Sequence, residues 1–367
     1  MGKFSPQLAC DRCNQPAGAL DWRCAACGGT LHIANLPRFD ASGIDQQEWS
    51  LWRYRAMLPV DRRFSLGEGM TPLVTVDWPG QRFFAKLEYL NPTGSFKDRG
   101  TAVLVNHLLA HGVTEVVEDS SGNAGASLAM YAGATGIHAR IFAPASAPEG
   151  KKRLIALNAE LVEVPGPRSA PTEACHEAAR EIVYASHAWS PFFVAGQMTA
   201  AWEVWEQLGR RAPDMILCPV GHGGLFLGFA RGFKTLLDAG LIARMPAMIA
   251  AQSAACDPLV RAWEQGQEEP EPAAQNATVA DGIVVALPTR GREILAAIRS
   301  TGGSALRVED GDILRAKDML TKRGLLVEPT SAVPVAALEQ ARVHLNRDAE
   351  IVIPLTGSGL KTLGNLP

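Results

Sequence analysis

Three times along this chain an apolar, strand-like run breaks into a loop of small residues and then into a helical pattern, which restricts the fold to layered α/β arrangements. The first run, Arg82-Phe83-Phe84-Ala85-Lys86-Leu87-Glu88, precedes Asn91-Pro92-Thr93-Gly94-Ser95-Phe96-Lys97-Asp98-Arg99-Gly100. Pro92 and Gly94 punctuate that loop, and beyond it Val103, Leu104, Leu108 and Leu109 recur on one helical face. The second run, 113–117, passes through Glu118-Asp119-Ser120-Ser121-Gly122-Asn123 into an Ala-rich helix over 124–134. The third, Ile216-Leu217-Cys218-Pro219-Val220, meets Gly221-His222-Gly223-Gly224-Leu225-Phe226. Further apolar runs at 139–143, 161–164 and 351–355 continue the alternation and predict an open sheet with helices on both faces.

Each junction places a chemical group where it is useful. Lys97 sits near a helix N-terminus, where unpaired backbone N–H groups disfavour an ammonium, so it is a candidate Schiff-base former. A solvated surface lysine is the plainer reading, but it needs no frame of small residues such as Thr93, Gly94 and Ser95. The Ser/Gly/Asn loop offers backbone N–H groups and an amide to an anion or a polar ring; an ordinary helix cap is its alternative. The glycine loop has the geometry that cradles a phosphate. A dinucleotide site requires G-x-G-x-x-G and an acidic residue ending a second strand. Here Gly228 falls one position late and Asp238 lies inside the helical pattern, so that reading fails.

Lysine, Asn-bearing loop and phosphate loop, in this order, resemble the fold-type II pyridoxal-phosphate enzymes, and most closely their threonine synthase branch. Ser65-Leu66-Gly67-Glu68-Gly69-Met70-Thr71-Pro72-Leu73, Val327-Glu328-Pro329-Thr330-Ser331-Ala332 and Leu355-Thr356-Gly357-Ser358-Gly359-Leu360-Lys361 support the likeness, which runs from about Cys10 to Lys361. The resemblance implies two open α/β lobes with the cofactor between them, the smaller mobile one within about 86–191 of a catalytic region 39–367. It implies that Lys97 carries pyridoxal 5'-phosphate and that Asn123 hydrogen-bonds the ring 3′-oxygen. Gly221, His222, Gly223, Gly224 and Leu225 would hold the 5′-phosphate, and Thr356 would meet the pyridine nitrogen. Backbone around Ser120, Ser121, Gly122 and Ala124 would seat the carboxylate of a small-molecule amino-acid substrate.

A hydroxyl on the ring nitrogen makes the ring a weaker electron sink than a carboxylate would, which favours prompt loss of a leaving group. The expected enzyme is thus a lyase in which Lys97 takes the α-proton, with elimination or replacement at the β or γ carbon. Threonine synthase acting on O-phosphohomoserine is the nearest family activity. Its branch carries Asn-Ser-x-Asn-Pro-x-Arg, whose Asn, Ser and Arg hold the substrate phosphate; this chain reads His187-Ala188-Trp189-Ser190-Pro191-Phe192-Phe193. Phe193 replaces the arginine, Ala188 the serine, and Ser358 the histidine of the terminal Thr-Gly-His-Gly. Arg153 or Lys152 could re-supply the lost cation; otherwise Trp189, Phe192 and Phe193 suggest an apolar pocket. Serine/threonine dehydratase and ammonia-lyase activities therefore stand beside the synthase. A non-catalytic cofactor-binding regulator is the alternative of another class.

The N-terminal 38 residues carry a separate device. Cys10-x-x-Cys13 and Cys24-x-x-Cys27 can enclose a tetrahedral zinc, and a lobe with few apolar residues gains order from such an ion. Two disulfides, or a DNA-binding ribbon with only Arg12, Arg23 and Arg38 as cations, are the alternatives. Cys175, Cys218 and Cys256 read as packing thiols. A net charge of −3 over 367 residues gives no indication of nucleic acid or acidic lipid. Met1-Gly2-Lys3-Phe4-Ser5-Pro6 lacks a signal-peptide core and no run spans a bilayer, so a cytoplasmic protein is expected. The family resemblance suggests a homodimer. Residues 266–277, acidic and broken by proline, read as an exposed loop.

Overall fold

Strands that are apolar without interruption need cover on both faces, and two such strands lie at the centre of the larger sheet. The computed structural model describes residues 4–147, 149–167, 169–342 and 349–361. Met215–Pro219 and Ile351–Pro354 are buried along their whole length. They sit third and fourth in a six-stranded sheet ordered Ser304–Val308, Ala247–Ser253, Met215–Pro219, Ile351–Pro354, Gln81–Lys86, Leu73–Trp78. All pairings are parallel except the last, where Leu73–Trp78 forms an antiparallel edge. A second sheet, Glu160–Val164, His138–Pro144, Glu115–Glu118, Val183–Tyr184, is parallel throughout. The α/β alternation expected from the sequence is present.

The chain divides into two compact units, Met1–Gly69 with Asn91–Gly196, and Met70–Leu90 with Gln197–Pro367. The second holds the six-stranded sheet and a core in which Phe83, Leu217, Ile249 and Ile353 pack with Ile313, Val333 and Leu338. Within it Gly228 and Gly232 let the helix Gly224–Asp238 lie close to the residues from Gln197 onward; a Cβ on either would fall 2.4 Å from Gln197 or 2.6 Å from Ala201.

The first unit holds the four-stranded sheet and the helix Lys97–Ala110. Four apolar positions suggested a one-sided helix, yet every residue from Asp98 to Leu108 is buried. Its polar members are satisfied internally: Asn106 donates to the Ala102 and Phe64 carbonyls, and His107 Nε2 lies 2.8 Å from the Ala19 carbonyl. The four-cysteine segment belongs to this unit as well, as the antiparallel strands Leu8–Cys10, Pro16–Ala17 and Leu31–Ile33. Trp22 anchors it, stacking on His176 at 4.9 Å and meeting Tyr184 and Trp189 edge-on at 5.2 and 4.9 Å.

Cys175, Cys218 and Cys256 are buried, as packing thiols should be. Residues 266–277 form neither helix nor strand and are mostly exposed. Among the described residues no helix is long and apolar enough to cross a membrane. Residues 1–3 of the N-terminal segment and residues 362–367 lie outside those described.

Candidate active site

Lys97 is the first residue of its helix, and Asp98 fixes the loop that delivers it. Asp98 is fully buried; its carboxylate accepts from the Thr93 backbone N–H and hydroxyl and from Ser127 Oγ, each at 2.6 Å. Gly94, at φ 75°, makes the turn, and its N–H closes on the Asn91 carbonyl at 2.8 Å. Lys97 Nζ lies 4.8 Å from the Phe96 ring centre and 5.6 Å from that of Phe193. Ser95, two residues earlier, is fully buried and its hydroxyl has no hydrogen-bond partner among the described residues.

The second loop follows the strand Glu115–Glu118. Gly122 caps the helix Asn123–Thr135 in an extended conformation with no side-chain hydrogen bond at the cap. Ser120, Ser121, Gly122 and Asn123 are half-buried, and Ala124 is buried. Gly125 permits the tight turn: a Cβ there would lie 2.0 Å from the Ser120 carbonyl oxygen.

Beside this loop lies a pair absent from the expectations. Glu118 is 2.7 Å from His187 Nδ1 through one oxygen and accepts the His187 backbone N–H at 3.1 Å through the other. Burial pushes the Glu118 carboxyl up to about 8, against the opposing effects of the His187 N–H and the Lys97 charge. Burial, then Lys97, holds the His187 imidazole well below its usual range. Both shifts favour a carboxyl that keeps its proton and gives it to a neutral imidazole.

In the second unit the strand Met215–Pro219 delivers Gly221, His222 and Gly223 to the start of the helix Gly224–Asp238. Gly223 is left-handed at φ 83° and no side chain caps the helix. His222 Nδ1 lies 3.5 Å from the Thr289 hydroxyl, and Leu225 is buried in the helix's first turn. Thr356 is buried, with Oγ1 3.0 Å from Ser331 Oγ. Ser331 also accepts the Gly357 N–H at 2.9 Å, and Glu328 N–H donates to the Gly357 carbonyl.

The profile of the family described as "Pyridoxal-phosphate dependent enzyme" matches residues 64–357. A threonine synthase of Methanocaldococcus jannaschii is 33% identical over 91% of this chain and 87% of its own. That of Methanosarcina acetivorans is 32% identical over 93% and 88%. The chain belongs to this family, in its threonine synthase-like branch. Among solved structures, a threonine deaminase from T.th. is similar at 30% identity, with a TM-score of 0.66 over 78% of this chain and 92% of that one.

The residues fit the cofactor of the pyridoxal-phosphate enzymes on two observations. One is the orphaned Ser95 hydroxyl beside Lys97. The other is the uncapped helix at Gly223, whose N–H groups suit a phosphate. The cations expected to replace the family arginine are engaged by carboxylates or exposed. Lys152 is held between Glu163 at 2.7 Å and Glu149 at 3.0 Å, and the Arg153 side chain is 80% exposed. Of the three aromatic residues expected in the pocket, Phe193 approaches Lys97. Trp189 is taken up by Trp22, and Phe192 stacks on His107 at 3.6 Å.

The four cysteine Sγ atoms lie within 4.8 Å of one another. Neighbouring pairs are 3.4–3.6 Å apart, near the roughly 3.8 Å edge of a tetrahedron with zinc–sulfur bonds of about 2.3 Å. The Arg12 N–H donates to Cys10 Sγ at 3.4 Å, and a Cβ on Gly29 would stand 3.0 Å from that sulfur.

Proposed function

We propose that this lyase eliminates or replaces the side-chain hydroxyl of an unphosphorylated amino acid, with pyridoxal phosphate carried on Lys97. The observation that carries the reading is Phe193. By the family resemblance it takes the position of the branch's phosphate-binding arginine; it is 1% exposed, and its ring centre lies 5.6 Å from Lys97 Nζ. A phosphate dianion in a desolvated site needs charge-assisted donors, and neither Lys152 nor Arg153 is placed to restore one.

Bound pyridoxal phosphate supplies a sink for the electron pair left at the α-carbon. The N–H groups of 121–124 bind the substrate carboxylate, and those of 221–225 bind the cofactor phosphate. Asn123 would orient the ring, and Thr356, with Ser331 Oγ 3.0 Å behind it, would offer a hydroxyl to the ring nitrogen. Lys97 Nζ takes and returns the α-proton, and its position depends on the three hydrogen bonds at Asp98.

The four cysteines hold a structural zinc in this reading. The enzyme acts in the cytoplasm as a homodimer on a small-molecule substrate, without nucleic acid. Product analysis tests it: O-phospho-L-homoserine, L-threonine and L-serine are offered in turn to the purified holoenzyme. Ammonia and a 2-oxo acid from the unphosphorylated substrates alone support the reading. Threonine and free phosphate from O-phospho-L-homoserine would replace it with a threonine synthase whose phosphate site is rebuilt. Lys97→Ala should lose the visible band of lysine-bound cofactor; a persistent band would move the cofactor lysine elsewhere.

A further inference from the structure

At the end of the six-stranded sheet opposite Thr356, a cavity of about 620 Å³ lies against the strands Leu73–Trp78 and Gln81–Lys86 and the entry to Ile351–Pro354. Every residue that lines it belongs to the second unit. Small-molecule sites usually enclose roughly 300–1,000 Å³, so the volume suits one. Glu350 and Thr356 flank a single strand, and at roughly 3.3 Å per residue about 20 Å of sheet separates them. Alternation decides which side chains face the cavity. Val76, Phe83 and Ala85 enter the hydrophobic core, while Thr75, Asp77, Arg82 and Phe84 take the other face and line the cavity. Thr75 stands opposite Phe84, and Asp77 opposite Arg82. Opposite charges so placed across two strands attract each other. Among the described residues, however, neither of these two side chains forms an ion pair or a hydrogen bond. The third charge, Glu350, is already offset, because Arg211 meets its two oxygens at 2.9 and 3.0 Å. One cation and one anion are left side by side, with the half-buried Phe84 ring on the same face.

We infer that this cavity is a second, non-catalytic site that binds an α-amino acid with an apolar side chain. Arg82 takes the carboxylate, Asp77 the ammonium and Phe84 the side chain. A simple anion would meet the repulsion of Asp77, and a simple cation that of Arg82. A zwitterion answers both, and its two charges share one α-carbon, as the two receiving side chains share one cross-strand position. The Thr75 hydroxyl, which can donate or accept, serves either end. Apolar side-chain surface leaves water against Phe84 and against Trp78, which also borders the cavity. The assignment is independent of the proposed reaction, since none of these residues holds cofactor or substrate there.

The test is equilibrium dialysis of the holoenzyme against radiolabelled L-leucine, which carries no leaving group at its β or γ carbon. The visible cofactor band, recorded on the same samples, measures the leucine held at the cofactor. Wild type should bind leucine beyond that amount. Arg82→Gln and Asp77→Asn should each weaken the extra binding by roughly tenfold or more, the value of one charge-assisted hydrogen bond, and leave the band titration unmoved. Arg82→Lys keeps the cation and should retain most of the binding. Both side chains are exposed, so the variants should fold as wild type does. The analogues 4-methylpentanoate, without the ammonium, and L-leucinamide, without the carboxylate, should compete roughly tenfold more weakly than unlabelled leucine. Leucine bound only in step with the cofactor band, or extra binding equal in wild type and variants, would overturn the site. Analogues that compete as well as leucine would overturn the zwitterion. Neither result bears on the product analysis, which tests the proposed function separately.

Discussion

A Cβ on Gly100 would lie 2.5 Å from the ring of Phe193, so the helix that begins at Lys97 meets the one that begins at Pro191 through a bare backbone and an aromatic face. Gly196 repeats the arrangement, its missing Cβ falling 2.1 Å from the Arg99 carbonyl oxygen. Gly100→Ala should force the ring aside and cost about 1–3 kcal/mol, the usual range for overpacking. Thermal denaturation of Gly100→Ala, Phe193→Ala and the double variant checks this. The double variant should lose less than the two single variants together, because without the ring the added methyl meets no clash.

Phe193→Arg tests the same position for selectivity. An arginine at a site 1% exposed, with no anion bound, should cost roughly 3 kcal/mol or more. Added O-phospho-L-homoserine should recover part of that, seen as a larger rise in melting temperature than in wild type. No difference between the two proteins would show that the aligned position does not face the substrate.

The second unit is held by a buried ion pair. Lys86 Nζ donates to Glu203 at 2.7 Å, to the Thr71 carbonyl at 2.5 Å and to Gln207 at 3.0 Å; Lys86 and Glu203 have fully buried side chains. Removing one partner strands the other charge, so Lys86→Met should cost about 3–5 kcal/mol in urea unfolding. Lys86→Met with Glu203→Leu removes both charges and should be closer to wild type than Lys86→Met alone.

The Glu118–His187 pair should shape stability against pH. Glu118 rises from 4.5 to about 8 on folding, so its contribution is full below pH 4.5 and is lost as pH climbs to 8. His187 falls below 6.5 on folding, so its contribution is full above 6.5 and is lost as pH drops. Below 6.5 the two effects oppose each other, and from 6.5 to 8 the Glu118 effect acts alone and stability declines. One proton over that decline corresponds to about 2 kcal/mol at most. Glu118→Gln should flatten the decline in urea titrations at pH 6.5 and 8.

These relationships differ in how far the sequence reveals them. The loop before Lys97, the Ser/Gly/Asn turn and the glycine turn are legible because each is local: small residues, a backbone turn and a helix start occur within ten positions. Glu118 and His187 are 69 residues apart and meet through sheet order, to which no local pattern refers. Similarly, aromatic composition pointed Trp189 and Phe192 at the substrate, whereas Trp22 and His107, distant in sequence, claim both. The apolar face read from four residues of the Lys97 helix understates its burial for the same reason, since Asn106 and His107 find their partners at Phe64 and Ala19.

Trp22 also makes the four-cysteine lobe testable without an activity assay. It lies between Cys13 and Cys24, and its ring packs on His176, Tyr184 and Trp189, so the fold of the lobe and the environment of the 187–193 segment share one contact. A structural zinc would order the lobe, because a three-stranded sheet this short buries little apolar surface. Metal analysis should find about one zinc per chain. Chelation, or Cys24→Ser, should release Trp22 and alter tryptophan emission and the near-ultraviolet dichroism. The same treatment of Trp22→Leu should change those signals much less. A metal-free protein with an undisturbed aromatic signal would show that the thiols alone suffice to hold the lobe.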